Sequence, residues 1–194
     1  VAVPARELIL TIDTSGSMAG ESIRQARAAL TSALSRLRPK DSFNLIRFDE
    51  KSTALFPNSV PADPAMVRRA LDYVAYLDAD GGTELRSALE MSLAGVSETG
   101  PMRQIVLITD AAVDNEDELL KLLHQRLGRS RLFVVAIGSA PNRYLARKAA
   151  EFGRGAMISI PHLKDVQSAM EGLFEKLERP AMTDVSIAWP DGAN

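Results

Sequence analysis

Short apolar runs alternate with longer stretches of helical period along the chain. Arg6 to Ile12 is a run of β-formers, with Leu8, Ile9, Leu10 and Ile12 leading into Asp13. Ser22 to Leu37 then places Ile23, Ala26, Leu30, Leu34 and Leu37 on one face at three- and four-residue spacing, which predicts a helix. Pro39 and Lys40 end it. Ser42 to Phe48 alternates as a strand, and 52–56 reads as its hairpin partner across Asp49–Lys51.

The same rhythm continues. Helices are predicted over Ala65–Leu77, entered through Pro64, and over Thr83–Val96, Asp114–Leu127, Arg143–Phe152 and Leu163–Leu177. Between them lie "QIVLIT" (104–109), "LFVVAI" (132–137) and Ala156–Ile160. Continuous apolar runs of this kind suit strands buried on both faces. Alternating strands and helices predict a doubly wound α/β fold: a mostly parallel sheet, helices on both faces, and one short antiparallel edge strand. Val185, Ile187 and Trp189 break the rhythm by alternating after the helical layer is complete. The expected division is therefore one domain over 1–180 and a terminal strand over 181–194. That strand is expected to open a following β-rich module or to add an edge. The absence of Met at position 1 and the abrupt ends suggest a piece of a longer protein.

Composition narrows the chemistry. With 23 basic and 25 acidic residues the net charge is −2, which gives no broad nucleic-acid footprint. Cysteine is absent, which removes disulfides, thiolate zinc sites and cysteine catalysis. No apolar run is long enough to span a bilayer.

Ligands of open parallel sheets sit at the carboxyl ends of the strands. Three loops there carry suggestive residues: "DTSGSM" (13–18), "DADGGTEL" (78–85) and "TDAAVDNEDE" (109–118). Together they offer Asp13, Ser15, Ser17, Thr83 and Asp110. Carboxylate and hydroxyl oxygens suit Mg²⁺ or Mn²⁺ and not zinc or copper. Two carboxylates roughly neutralise the ion, and neutral hydroxyls leave room for a carboxylate supplied from outside. Gly16 eases the turn between the two serines, and Gly81 and Gly82 let the second loop bend closely.

At these residues the chain resembles the von Willebrand factor type A domains, whose metal-ion-dependent adhesion site reads Asp-x-Ser-x-Ser, then Thr, then Asp. The matching stretches are "DTSGS", "GGTEL" and "LITD". "DTSGSMAGESI", "KDSFNLIRFD", "GGTELRSAL" and "ERPAMTDVSIAWPDG" are most similar to the inter-alpha-trypsin-inhibitor heavy chains and their bacterial surface counterparts. The resemblance implies that Ser15, Ser17 and Thr83, with Asp13 and Asp110 directly or through water, hold Mg²⁺ or Mn²⁺. A Glu or Asp of a protein or peptide partner would complete the shell. It also implies a monomeric adhesion module at a cell surface or outside the cell. The alternative is an intracellular module docking onto an ATPase or other assembly partner. One departure is Ala111, where the family usually has Gly after the aspartate.

Simpler readings stand beside these. Ser17 or Ser22 could cap the first helix and Thr83 the third. "DNEDE" reads as a charge-complemented helix start, Asp78 and Asp80 as solvated loop residues adding negative field near the ion. Enzyme readings lack their motifs. Asp13 has no second carboxylate two residues on, as a phosphoaspartate hydrolase would want. Walker, Rossmann and Gly-x-Ser-x-Gly patterns are missing. No catalysis is expected.

Overall fold

The computed structural model describes residues 4–97, 99–110, 116–138 and 143–178. The strands are β1 (Arg6–Asp13), β2 (Ser42–Phe48), β3 (Ser52–Ala54), β4 (Val60–Pro61), β5 (Met102–Thr109), β6 (Arg131–Ile137) and β7 (Met157–Ile160). The helices are α1 (Glu21–Ser35), α2 (Pro64–Ala75), α3 (Leu85–Leu93), α4 (Glu116–Arg126), α5 (Arg143–Phe152) and α6 (Val166–Glu178). The sheet order is β3-β2-β1-β5-β6-β7, parallel except for β3 and β4, which both pair antiparallel with β2. The expected doubly wound α/β architecture is the one observed. β4 is an addition that its two residues, one of them Pro61, did not announce.

Alternation along each strand divides the core. Leu8, Leu10 and Ile12 of β1 pack with Leu30 of α1, Val74 of α2 and Phe174 of α6 on one face. Ile9 joins Leu89 of α3, Leu123 of α4 and Ala150 of α5 on the other. Thr11 is the polar exception on that second face, fully buried and within 2.8 Å of the Ser92 hydroxyl of α3. Strand order reverses between β1 and β5, so the switch point opens beside the carboxyl end of β1.

Helix boundaries differ from the expected ones in informative ways. α1 starts at Glu21 after Gly20, so Ser22 lies inside the helix and neither it nor Ser17 is the cap. α3 starts at Leu85 with Glu84 as its N-cap, so Thr83 does not cap it. A 3₁₀ turn over Leu163–Asp165 precedes α6. At α2 the Asp63 carboxylate accepts the Met66 N–H at 2.9 Å, and Pro64 takes the first helical position. Asp63→Ala is expected to cost about 1 kcal/mol, a fall of about 2–4 °C in melting temperature by calorimetry. No change would mean that Pro64 alone sets the helix start. Ala111, "DNE" at 114–116 and the terminal segment 181–194 fall wholly or partly outside the described residues.

Candidate metal centre

The first loop is built on a buried carboxylate. Asp13 ends β1 fully buried; its Oδ1 accepts the Ser15 N–H at 2.9 Å and its Oδ2 accepts the Thr109 hydroxyl at 2.6 Å. Thr109 ends β5, which runs parallel to β1, so the two strand ends lie side by side. Burial pushes the Asp13 pKa up and the charge of Asp110 adds to that rise, while hydrogen bonds from Ser15 and Thr109 oppose it. No basic side chain pairs with Asp13 among the described residues. A buried carboxylate with no counter-ion is costly, and this one sits where a cation would relieve it.

Ser15 is buried, and its hydroxyl lies 3.1 Å from that of Ser17. Ser17 is exposed on a 3₁₀ turn, Gly16–Met18, which the fully buried Met18 pins to the core. The turn does not draw on a left-handed conformation at Gly16; the positive φ falls at Gly81, at 85°.

Backbone hydrogen bonds lace the second loop to the first. Gly16 N–H donates to the Gly81 carbonyl at 3.0 Å, and Asp80 N–H to the Thr14 carbonyl at 2.8 Å. Thr14 in turn donates its N–H (2.8 Å) and hydroxyl (3.0 Å) to the Phe48 carbonyl at the end of β2. Glu84 N–H donates to the Asp49 carbonyl at 2.7 Å. Glu84 is the non-helical N-cap of α3, and Thr83 before it is exposed.

Asp13, Ser15 and Ser17 are thus joined by direct hydrogen bonds. Thr83 and Asp110 stand on the neighbouring loops with no hydrogen bond to those three among the described residues; Asp110 is felt by Asp13 through its charge. Thr109, which sequence reasoning did not single out, is the side chain that holds Asp13 from β5. Its only signal is a hydroxyl at the end of a buried run, immediately before Asp110. No group of three or more His, Cys, Asp or Glu side chains gathers among the described residues, so any ion here relies on hydroxyls beside Asp13 and Asp110.

Comparisons agree with this architecture. Residues 6–157 match the family model of the von Willebrand factor type A domain. The chain is 28 % identical over 201 residues to human inter-alpha-trypsin inhibitor heavy chain H4, covering 97 % of this chain and 22 % of that protein. It is 29 % identical over 184 residues to human von Willebrand factor A domain-containing protein 5B1, covering 94 % of this chain and 15 % of that one. It therefore spans about a fifth or less of these relatives. Among solved structures, a von Willebrand factor type A protein from Catenulispora acidiphila superposes with a TM-score of 0.78 at 20 % identity. That match covers 89 % of this chain and 42 % of the other. With the family model matched across most of the sheet, this chain belongs to the von Willebrand factor type A domains, which are protein-interaction modules.

Proposed function

We propose that this domain holds Mg²⁺, or Mn²⁺ in its place, through Asp13, Ser15, Ser17, Thr83 and Asp110, and uses it to recognise a Glu or Asp carboxylate of a protein partner. The observation that carries the reading is Asp13: a fully buried carboxylate, ringed by hydroxyls and without a cationic partner among the described residues. A bound divalent ion supplies a hard Lewis-acid centre for carboxylate oxygens.

The chain's own residues do the rest. Thr109 orients Asp13 through its 2.6 Å bond, and the Ser15 N–H holds the other oxygen. Ser15 and Ser17 present adjacent hydroxyls, and the Gly16–Gly81 and Asp80–Thr14 bonds fix the second loop so that Thr83 stays at the same rim. Because the hydroxyl donors add no charge to the two carboxylates, the site would stay near neutral and could accept a carboxylate from outside at a remaining coordination position. In this reading the domain acts by binding. The likeness to heavy chain H4 supports a cell-surface or extracellular setting.

An array of peptides bearing Asp or Glu, probed with the EDTA-stripped domain, tests the reading. Acid-bearing peptides are expected to bind in Mg²⁺, to lose binding in EDTA, and to regain it in Mn²⁺. Binding that ignores EDTA would rule out the metal-bridged mechanism.

A further inference from the structure

Beside the metal-facing loops, a cleft of about 460 Å³ opens between the end of α2 and the β2–β3 edge. Its lining includes Arg47, Asp49, Tyr73, Tyr76, Asp78 and Asp80. Three features set it apart from an ordinary polar surface.

The first is aromatic. Tyr76 follows α2 as its C-cap and is 87 % exposed, the most exposed large apolar side chain among the described residues. Tyr73, one turn earlier, forms part of the cleft wall. An exposed tyrosine face attracts cations.

The second is charge. Three carboxylates line the cleft against one guanidinium, and that guanidinium, Arg47, already pairs with Asp49 at 3.6 Å. Asp78 accepts the Ala79 N–H at 3.0 Å and Asp80 the Gly81 N–H at 2.8 Å, each through Oδ1 alone. Neither has an ion-pair partner among the described residues. Arg27 of α1 is committed to the Leu77 carbonyl at 2.7 Å.

The third is position. Asp80 N–H bonds to the Thr14 carbonyl between Asp13 and Ser15, so the cleft borders the loop assigned to the ion. A partner segment that crosses this edge on its way to the ion would meet the cleft.

We propose that this cleft is a second subsite that takes a lysine or arginine side chain of the partner, its cation over Tyr76 and between Asp78 and Asp80. The partner is thus a segment carrying a basic residue near its metal-seeking carboxylate. For the position of that carboxylate, this rests on the proposed function. The cleft's preference for a cation stands apart from it.

Two probes separate the readings. Short synthetic peptides holding one Asp, with Lys, Gln or Glu at varied spacing, are titrated calorimetrically in Mg²⁺. At the best spacing the Lys peptide is expected to bind about tenfold tighter than its Gln counterpart, and the Glu peptide weaker still. The Lys-over-Gln ratio, taken within each variant so that any change in the field at the ion cancels, should fall toward one in Asp78→Asn/Asp80→Asn, which keeps both local N–H acceptors, and in Tyr76→Ala. Equal binding of Lys and Gln peptides, or a preference that survives both variants, overturns the subsite.

If no peptide responds to Mg²⁺, the metal reading fails and the cleft is judged alone. Acetyl-lysine methylamide is then titrated in EDTA while amide shifts are followed. Perturbations at Tyr76, Asp78 and Asp80 that vanish in the double variant support the subsite. Their absence overturns it.

Discussion

Asp41→Ala is expected to remove about 3–5 kcal/mol of stability, the cost of leaving a buried charge without its partner. The Asp41 side chain is wholly buried between two arginines. Its Oδ2 accepts Arg6 Nε (3.3 Å), Arg38 Nε (3.1 Å) and Arg38 N–H (3.1 Å); its Oδ1 accepts Arg38 Nη2 (2.9 Å) and Arg6 N–H (3.4 Å). The pair ties the start of β1 to the loop entering β2. Arg6 is only 4 % exposed, lies over the Phe174 ring, and has no hydrogen-bond partner for either terminal nitrogen. Among the described residues Asp41 is its one close carboxylate, because Glu178 stands 4.0 Å away. Arg6→Met with Asp41→Ala should recover much of the loss, since a buried pair exchanged for apolar side chains is often near neutral. A single-variant loss under about 1 kcal/mol in urea unfolding would show that Arg6 re-pairs or hydrates.

The same residue sets a pH signature. Desolvation by itself would raise the Asp41 pKa, yet Arg38's side-chain and backbone hydrogen bonds and the charges of Arg6 and Arg38 hold it below the ordinary value. As pH falls, the unfolded chain therefore takes up this proton before the native one does. The stabilisation is complete above the unfolded pKa of about 4 and disappears as pH drops through the lower native value. Asp41→Ala should flatten this acid branch of the stability profile. It should not erase it, because Glu7 is also held low: its desolvation is outweighed by bonds from Arg103 and Ser59 and the Arg103 charge.

What could be read in one dimension was local. The apolar runs at 104–109 and 132–137 became β5 and β6, buried on both faces as such runs predict, whereas "SFNLIRF" alternates and yet β2 too is buried on both faces, Asn44 included. Asp13, Ser15 and Ser17 were legible because they share one turn. The Thr109–Asp13 bond spans 96 positions and exists only because β5 lies beside β1, a consequence of strand order that no local pattern carries. Arg6–Asp41 is equally non-local. The Glu84 N–H to Asp49 carbonyl bond at the start of α3 spans 35 positions and is likewise tertiary. Local reading gave the same freedom to Gly16, Gly81 and Gly82, yet of these three Gly81 alone takes a positive φ, since composition shows where glycines are and not which needs one.

Asp13→Asn is expected to act in opposite directions with and without metal. In the wild-type domain, Mg²⁺ at a hundred times its dissociation constant should add about 2.7 kcal/mol, a rise of about 5–10 °C in melting temperature. The variant should lose that rise, because it removes one of the two carboxylates whose charge would balance the ion. In EDTA the sign reverses. The introduced carboxamide would still accept the Ser15 N–H through its oxygen and could donate its amino group to the Thr109 hydroxyl. The substitution removes a buried carboxylate that burial and Asp110 both disfavour. The metal-free variant should therefore melt at or above the metal-free wild type. Ser15→Ala offers a second reading: it leaves the Asp13 charge in place and should also blunt the Mg²⁺ response. An undiminished Mg²⁺ shift in Asp13→Asn would remove Asp13 from the metal shell. An equal fall in melting temperature with and without Mg²⁺ would make the carboxylate a structural tie between β1 and β5. A loss confined to Mg²⁺ would show a side chain kept at a cost to the empty domain for the sake of the ion.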